Sequence, residues 1–475
     1  MSRTATTAPR ATPERNAVEP PWPHQIETAL FCTKLKECLD LSDPGTGKTR
    51  AHLMAYANRR KAGAGRCLVV CPKSLMVPAW GSDSDKFTPH LSYAIADASN
   101  RFSAFEFGTD IVITNTDGVT ALAKRPTVLK GFTDLIIDEV TYFKRGTSQR
   151  SKAMYKLSRI FRHKYALSGT PNPHSVTELW HPSLIVDGGM RLGSSFYRFR
   201  NSVQEAEQVG PMPNMVKWHD KPEALEAVYG LLSDITIRHA FEDVMTQVPA
   251  NHVSTYEFEL APALLKRYHK LEDESVLALQ DGTITAVHAA SLRSKLLQCA
   301  SGAVYTEDGK YSVLDRARYE LILELINQYH HSVVFFNWRH QRDQLVDALE
   351  NQGTTFAVID GDTASGLRDS LVAEYQSGAY KTILLHPRTG AHGLTLTRGE
   401  ACILASPIYE ADLLKQAIHR IYRGSQDKAT NTILVRARGT VEDLVYERLD
   451  QNVRNMGDFL ALASMSRQRR MLCER

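Results

Sequence analysis

Residues 39–50 read LDLSDPGTGKTR, and the rest of the chain is interpreted outward from them. Gly45 and Gly47 flank Thr46 and let backbone amides curl around phosphate oxygens. Lys48 supplies a point charge for the β- and γ-phosphates, and the Thr49 hydroxyl suits magnesium. The segment from Lys48 to about Lys61 predicts a helix whose N-terminus aims at the same anion. Ser42 occupies the first glycine position of the GxxxxGK[ST] pattern. The loop predicts ATP and Mg2+ as ligands.

Short apolar runs surround this loop. CLVVC (Cys67 to Cys71), IVIT (Ile111 to Thr114), LIID (Leu135 to Asp138) and YALS (Tyr165 to Ser168) form one set. VVFF (Val333 to Phe336), FAVI (Phe356 to Ile359), TILL (Thr382 to Leu385), ACIL (Ala401 to Leu404) and ILV (Ile433 to Val435) form another. Such runs suit strands buried on both faces, and the helix-length spacers between them imply βαβ units with parallel sheets. Two sets predict two α/β lobes. Residues 186–312 lack this rhythm and carry helical spacing at Pro222 to Ser233 and Leu264 to Gln280. The expected division is a flexible tail over 1–19, an ATP-binding lobe over 20–185, a mostly helical insertion and linker over 186–312, a second lobe over 313–455, and a tail over 456–475.

At 475 residues the chain has length for two to four domains of about 100–200 residues each. With 43% hydrophobic and 23% charged residues it is neither a disordered chain nor a collagen-like fibre. No apolar run reaches the ~18 residues of a membrane helix, and no secretory leader is expected. Net charge is +4, compatible with nucleic acid without arguing for it. The seven cysteines form no CxxC pair, which suits reduced thiols in a cytoplasmic protein rather than a zinc site.

Two further motifs carry chemistry. Asp138 and Glu139 close the LIID run, at the strand end where open α/β sheets bind ligands. Asp138 suits a magnesium ligand and Glu139 a group that polarises the attacking water. Far downstream, LLKQAIHRIYRGSQ carries Gln416, Arg420 and Arg423 at offsets of four and three. That spacing predicts one helix face, with Gly424 as the helix stop. Arginines so presented can reach a γ-phosphate across a cleft. The basic clusters KRGTSQR (Lys144 to Arg150) and RLGSSFYRFR (Arg191 to Arg200) read first as solvated surface and packed helix, and second as phosphate contacts.

With these residues in order, the chain resembles the Swi/Snf-type DNA-dependent ATPases of helicase superfamily two, in the compact form often encoded by bacteriophages. The resemblance runs from about Pro21 to Leu449. PPWPHQ places Gln25 where the family reads adenine, and CLVVCPKSLMVPAW ends in Trp80. TNTD (Thr114 to Asp117) resembles a segment that touches the nucleic-acid backbone. DEVTYFK has Thr141 where many relatives have histidine, and SGTPNP places Ser168, Gly169 and Thr170 in the motif that links hydrolysis to movement. IRHAFEDV, with Arg238, resembles the exit from lobe one, and LRSKLLQCASG the approach to lobe two. FFNWRHQRDQL and DGDTASGLRDSLVAEYQSG resemble the fourth motif and its extension. TGAHGLTLT carries Gly393, Leu394, Thr395 and Thr397, with Thr395 where relatives have asparagine. QAIHRIYRGSQ resembles the sixth motif, with Arg420 and Arg423 in the finger positions, Gly424-Ser425 in place of Ile-Gly, and Gln426 closing it.

The resemblance implies two RecA-like lobes with parallel sheets and the mostly helical insertion between them. It implies ATP held by Gln25, the loop from Gly45 to Thr49, Gly393, Arg420 and Arg423, with Mg2+ on Thr49 and Asp138. It implies duplex or branched DNA tracked through its phosphates. The chain is expected to work as a monomer, in the bacterial host cell if phage-encoded, with a protein partner for targeting. An RNA-directed helicase of the same superfamily, the motor subunit of a restriction or nuclease system, and a nucleotide-binding scaffold are the alternatives. A decayed scaffold predicts loss of Lys48, Asp138, Glu139, Arg420 or Arg423, and all five are present.

Overall fold

A computed structural model describes residues 19–450, except 171–174, 211, 213–214, 281–285, 307 and 391–393. The two expected tails, Glu19 apart, and Gly393 lie outside the described residues. Among the described residues no helix is long and apolar enough to cross a membrane.

The first strand set builds lobe one. β1 (Glu37–Asp40), β2 (Arg66–Cys71), β3 (Tyr93–Ala96), β4 (Ile111–Asn115), β5 (Phe132–Asp138) and β6 (His163–Leu167) join one parallel sheet. β7 (Gln204–Gln208) and β8 (Val216–Asp220) form a separate antiparallel hairpin, and β9 (Thr236–Ile237) returns to the lobe-one sheet beside β1. The sheet order is β3-β4-β2-β5-β6-β1-β9. Alternation along β2 explains why its sequence is apolar throughout: Leu68 and Val70 enter one core cluster, while Cys67, Val69 and Cys71 enter the cluster on the opposite face.

Lobe two follows the same logic. β10 (Asn251–Phe258) enters its sheet first, and β11 (Ala303–Tyr305) and β12 (Tyr311–Val313) form a short antiparallel pair. β13 (Ser332–Phe335), β14 (Phe356–Ile359), β15 (Thr382–Leu385), β16 (Ala401–Leu404) and β17 (Thr430–Ala437) complete a parallel sheet in the order β10-β17-β16-β13-β15-β14. Val333 and Phe335 face one core cluster and Val334 the other.

The stretch 186–312 contains helices at Phe196–Val203, Ala224–Leu232, Pro262–Gln280 and Ala286–Ala300, but also strands β7 to β11. These strands are short or solvent-facing: β10 is exposed over most of its length, so it lacks the apolar signature of a buried strand. β9 belongs to the first sheet and β10 to the second, so the chain passes between lobes along residues 238–250.

Lobe two is locked by a buried ion pair. Arg318 Nη2 donates to Glu442 Oε1 at 2.7 Å, with both side chains at most 1% exposed, and the guanidinium also donates to the carbonyls of Ala300 and Ala405. Removing one partner strands a buried charge. Glu442→Ala is therefore expected to destabilise lobe two by about 3–5 kcal/mol, seen as an early transition in urea unfolding.

Candidate functional site

The parallel ladder places the two ends of the site. Asp40, last in β1, pairs with Leu167 of β6, which pairs in turn with Asp138, last in β5. The phosphate-type loop and the acidic pair thus leave the same sheet edge with one strand between them.

The loop from Leu41 to Gly47 is held from below. Ser42 N–H donates to Asp40 Oδ1 at 3.0 Å, and the other Asp40 oxygen meets His52 of α2 (Lys48–Lys61) at 2.9 Å. Ser42 departs from glycine to make a bond: its Oγ accepts from the His239 amide at 3.1 Å, docking the strap after β9. Gly45 and Gly47 have φ of 85° and 78°. A Cβ at Gly47 would lie 2.1 Å from Gln25 Nε2, and one at Gly45 would lie 3.0 Å from the Phe241 ring, so only glycine suits either position. Lys48 Nζ donates to the carbonyls of Ser42 at 2.7 Å and Asp43 at 3.1 Å, and the loop therefore wraps the ammonium. Gln25 sits in α1 (Pro23–Lys34), which opens with proline at its first position. It is buried: its Oε1 accepts from Trp22 N–H at 3.0 Å and its Nε2 donates to Gly47 O at 3.3 Å. Gly169 of SGT presses on the loop from the other side, where an added Cβ would sit 2.7 Å from Pro44.

The acidic pair is desolvated. Trp80, fully buried, donates its indole N–H to Asp138 Oδ2 at 2.8 Å. Burial raises the Asp138 carboxyl, against this bond and the Lys48 charge. Glu139 has φ of 55°, the only positive φ outside glycine among the described residues. Such strain concentrates at functional positions. Its Oε2 is buried without a hydrogen-bond partner among the described residues. Burial and the adjacent Asp138 charge push the Glu139 carboxyl up to about 7, with Asp412 adding to the shift and Lys48 and Arg420 opposing it. Lobe two therefore already acts on this lobe-one carboxylate.

The arginines arrive by a different route from the one their spacing implies. The helix Ala411–Ile418 holds Gln416 but stops at Ile418, leaving Arg420 and Arg423 in the turns that follow. They do not share a helix face. They converge because Leu394 O accepts from Arg420 Nη1 at 2.9 Å and from Arg423 Nη1 at 3.2 Å. Arg423 also donates to Thr395 Oγ1 at 2.8 Å, so threonine serves where relatives have asparagine. Gly424 is not a helix stop. An added Cβ there would lie 2.7 Å from the Trp22 ring, and the glycine admits a close approach between lobes. Gln426 Nε2 closes the segment on the carbonyls of Thr397 and Ile421, at 3.0 and 2.9 Å.

Three contributors escaped the sequence reading. Phe241 lies against Gly45 and packs on Tyr422 and His419 of lobe two, with centroids 4.7 and 5.1 Å apart. Trp22 touches both Gly47 and Gly424. Lys415 reaches Asp43 at 2.5 Å. Only Trp22 carried a signal, as an aromatic three residues before Gln25. The cluster KRGTSQR is partly committed to pairs, Lys144 with Glu178 and Arg150 with Asp117. In RLGSSFYRFR, Arg191 pairs with Asp234 and Glu37, and Arg200 stacks on Trp218 at 3.7 Å.

The residues fit a nucleoside triphosphate with magnesium. Positive-φ glycines, a lysine and a helix N-terminus match polyphosphate, and the oxygen donors Thr49 and Asp138 are the hard type that magnesium takes. Fold and site define a two-lobed nucleotide-driven ATPase of superfamily two. An SNF2-related domain matches residues 25–301 and a helicase conserved C-terminal domain matches residues 317–425. The chain belongs to the SNF2-related family, whose members are ATP-hydrolysing, DNA-dependent helicase-type enzymes. It is 25% identical over 446 residues to putative protein p41 of Acyrthosiphon pisum secondary endosymbiont phage 1, covering 89% of this chain and 94% of that one. It is 23% identical to mouse chromodomain-helicase-DNA-binding protein 1-like (86% of this chain, 46% of that one) and 23% identical to the putative ATP-dependent helicase/translocase YwqA of Bacillus subtilis (85% and 44%). The chain thus spans under half the length of those two relatives. The Sulfolobus solfataricus SWI2/SNF2 ATPase core in complex with dsDNA aligns over 95% of this chain and 96% of its own, at 19% identity and a TM-score of 0.44.

Proposed function

We propose that this chain is a DNA-stimulated ATPase that moves along duplex or branched DNA by opening and closing its two lobes. One observation carries the reading: the lobe-two segment that holds Arg420 and Arg423 meets the phosphate loop of lobe one, with Lys415 on Asp43 at 2.5 Å and Tyr422 and His419 packed on Phe241, so both lobes face one cleft.

The proposed roles follow from position. Gln25 and the loop Gly45–Thr46–Gly47 bind the nucleotide; Gly393, outside the described residues, is assigned there by the family resemblance alone. Lys48 leaves the loop carbonyls to hold the β- and γ-phosphates. Glu139, poised near neutrality, takes the proton of the attacking water. Arg420 and Arg423 offset charge on the transferring phosphoryl group. Magnesium, when held by Thr49 and Asp138, would neutralise phosphate oxygens. Trp80 keeps Asp138 aimed.

DNA contact is proposed on the strand ends of both lobes. In lobe two a cavity of about 660 Å³ opens where β13, β14 and β15 end, lined by Asn337, Arg339, Arg342, Asp360, His386 and Arg388. Arg339 is exposed there, while Arg342 pairs with Asp360 and Arg388 with Glu410; a phosphate would compete for these cations, and such contacts carry little sequence information. In lobe one, TNTD ends β4. The division into main blocks at 20–185 and 313–455 remains part of the proposal, with β9 and β10 of the intervening 186–312 completing the two sheets, as do a monomeric state, a cytoplasmic location and a targeting partner. The p41 likeness supports the phage-type setting.

Steady-state hydrolysis with duplex DNA, single-stranded DNA, RNA or no nucleic acid, at two salt concentrations, tests the reading. Duplex DNA is expected to stimulate most, and less at the higher salt. Stimulation by RNA alone would replace DNA with RNA as the track. Lys48→Ala is expected to abolish turnover. Arg423→Ala should leave nucleotide binding within about threefold and slow hydrolysis by about 10³-fold, read by fluorescent-nucleotide titration beside single-turnover kinetics. Turnover should rise with pH through the region near 7, where Glu139 loses its proton. Glu139→Gln should flatten that limb and cost at least about a hundredfold in rate.

A further inference from the structure

Asp43 sits inside the phosphate loop with its two ends facing different lobes. Its backbone carbonyl accepts from Lys48 Nζ at 3.1 Å and from Thr46 Oγ1 at 2.8 Å. Its carboxylate accepts from the Phe241 amide at 2.9 Å and pairs with Arg238 at 3.1 Å, both on the strap leaving lobe one. The Phe241 amide is on Oδ2, while Oδ1, the oxygen that meets Arg238 Nη1, also receives Lys415 Nζ at 2.5 Å, from the lobe-two helix Ala411–Ile418. The pair is sheltered, with side chains 21% and 10% exposed. Burial alone would raise the Asp43 carboxyl, yet Lys415 and Arg238 hold it well below the usual carboxylate range.

Lys415 is also tied to the arginines. It precedes Gln416, whose carbonyl accepts from Arg420 Nε at 3.1 Å. A Cβ on Gly45 would lie 3.7 Å from the Arg423 backbone. The ion pair thus spans the cleft at the point where the arginine turn meets the loop.

We propose that Lys415 is a positioning residue: by gripping Asp43 across the cleft it docks the arginine turn on the phosphate loop and holds the lobes in their hydrolytic arrangement. This inference rests on the ATPase reading above. Loss of Lys415 leaves Asp43 paired with Arg238 and the Phe241 amide within lobe one, so the loop keeps its shape while the bridge is lost. Loss of Asp43 instead leaves Lys415 and Arg238 as facing cations.

The test uses the full chain with saturating duplex DNA. Lys415→Met is expected to lower kcat at least tenfold while fluorescent-ATP affinity changes less than threefold, and Lys415→Arg to restore kcat to within threefold of the parent. The double variant Asp43→Asn with Lys415→Met should be no slower than the slower single variant, because both remove one interaction. A kcat within twofold of the parent in Lys415→Met, or an affinity loss as large as the loss in kcat, would overturn the proposal. Lobe closure gives a readout that needs no turnover: dyes on Lys124→Cys and Glu350→Cys, exposed positions on lobe one and lobe two, report energy transfer on adding a non-hydrolysable ATP analogue. Lys415→Met should reduce the closed population, and an unchanged population would sink the proposal. Absence of turnover in the parent chain would count against the ATPase reading, while the closure measurement still decides the role of Lys415.

Discussion

The pairing of β6 between β5 and β1 is the constraint on which the site depends. Parallel neighbours lie about 4.8 Å apart, so Asp40 and Asp138 are held about 10 Å apart at one edge. That span leaves room for phosphates between the loop and the acidic pair. The segment after β6 then has no choice but to line the floor, with the Ser168 amide on Asp40 O and Gly169 against Pro44. A one-residue slip in either ladder would turn a strand's whole apolar set to the wrong face. The alternating cores on both sides of β2 and β5 therefore enforce the catalytic register as well as the stability of the sheet.

Across the cleft, electrostatics replaces backbone pairing. The half-buried Arg423 repels the buried Arg420, and desolvation adds to the cost of the Arg420 charge. The shared carbonyl of Leu394 offsets both effects. The helix ends at Ile418, and the turns that follow it bring both guanidinium groups to that single acceptor. Glu139 benefits directly, since Arg420 counters the burial and the Asp138 charge that protonate it.

The parts legible in the sequence are those that obey local rules. CLVVC, LIID, VVFF, TILL and ACIL are strands because continuous apolar runs need two covered faces. The helix from Lys48 to Lys61 has the expected bounds. The remaining strands are silent for physical reasons: β1 has only Cys38 and Leu39 as apolar residues, and of the edge strands β9 spans two residues and β10 faces solvent. The site divides similarly. Lys48, Asp138, Glu139, Arg420 and Arg423 announce themselves by chemistry and spacing. The strained φ of Glu139, the grip of Lys415 on Asp43 and the wedge of Phe241 over Gly45 come from contacts between residues far apart in sequence, which no local pattern records. Gly424 shows the limit most clearly, because a glycine after a helical run has a local explanation that its contact with Trp22 displaces.

The strap of residues 238–250 joins the two sheets and also packs the seam, through Arg238, Phe241 and Met245. A tether this short turns the meeting of two domains into an intramolecular event, at an effective concentration on the order of millimolar or above. Lobe two never searches for lobe one by diffusion, and dilution of the protein leaves the closing equilibrium unchanged. The arginines are thus a permanent reagent of the loop they face, supplied by the same molecule at a local concentration fixed by covalent connection.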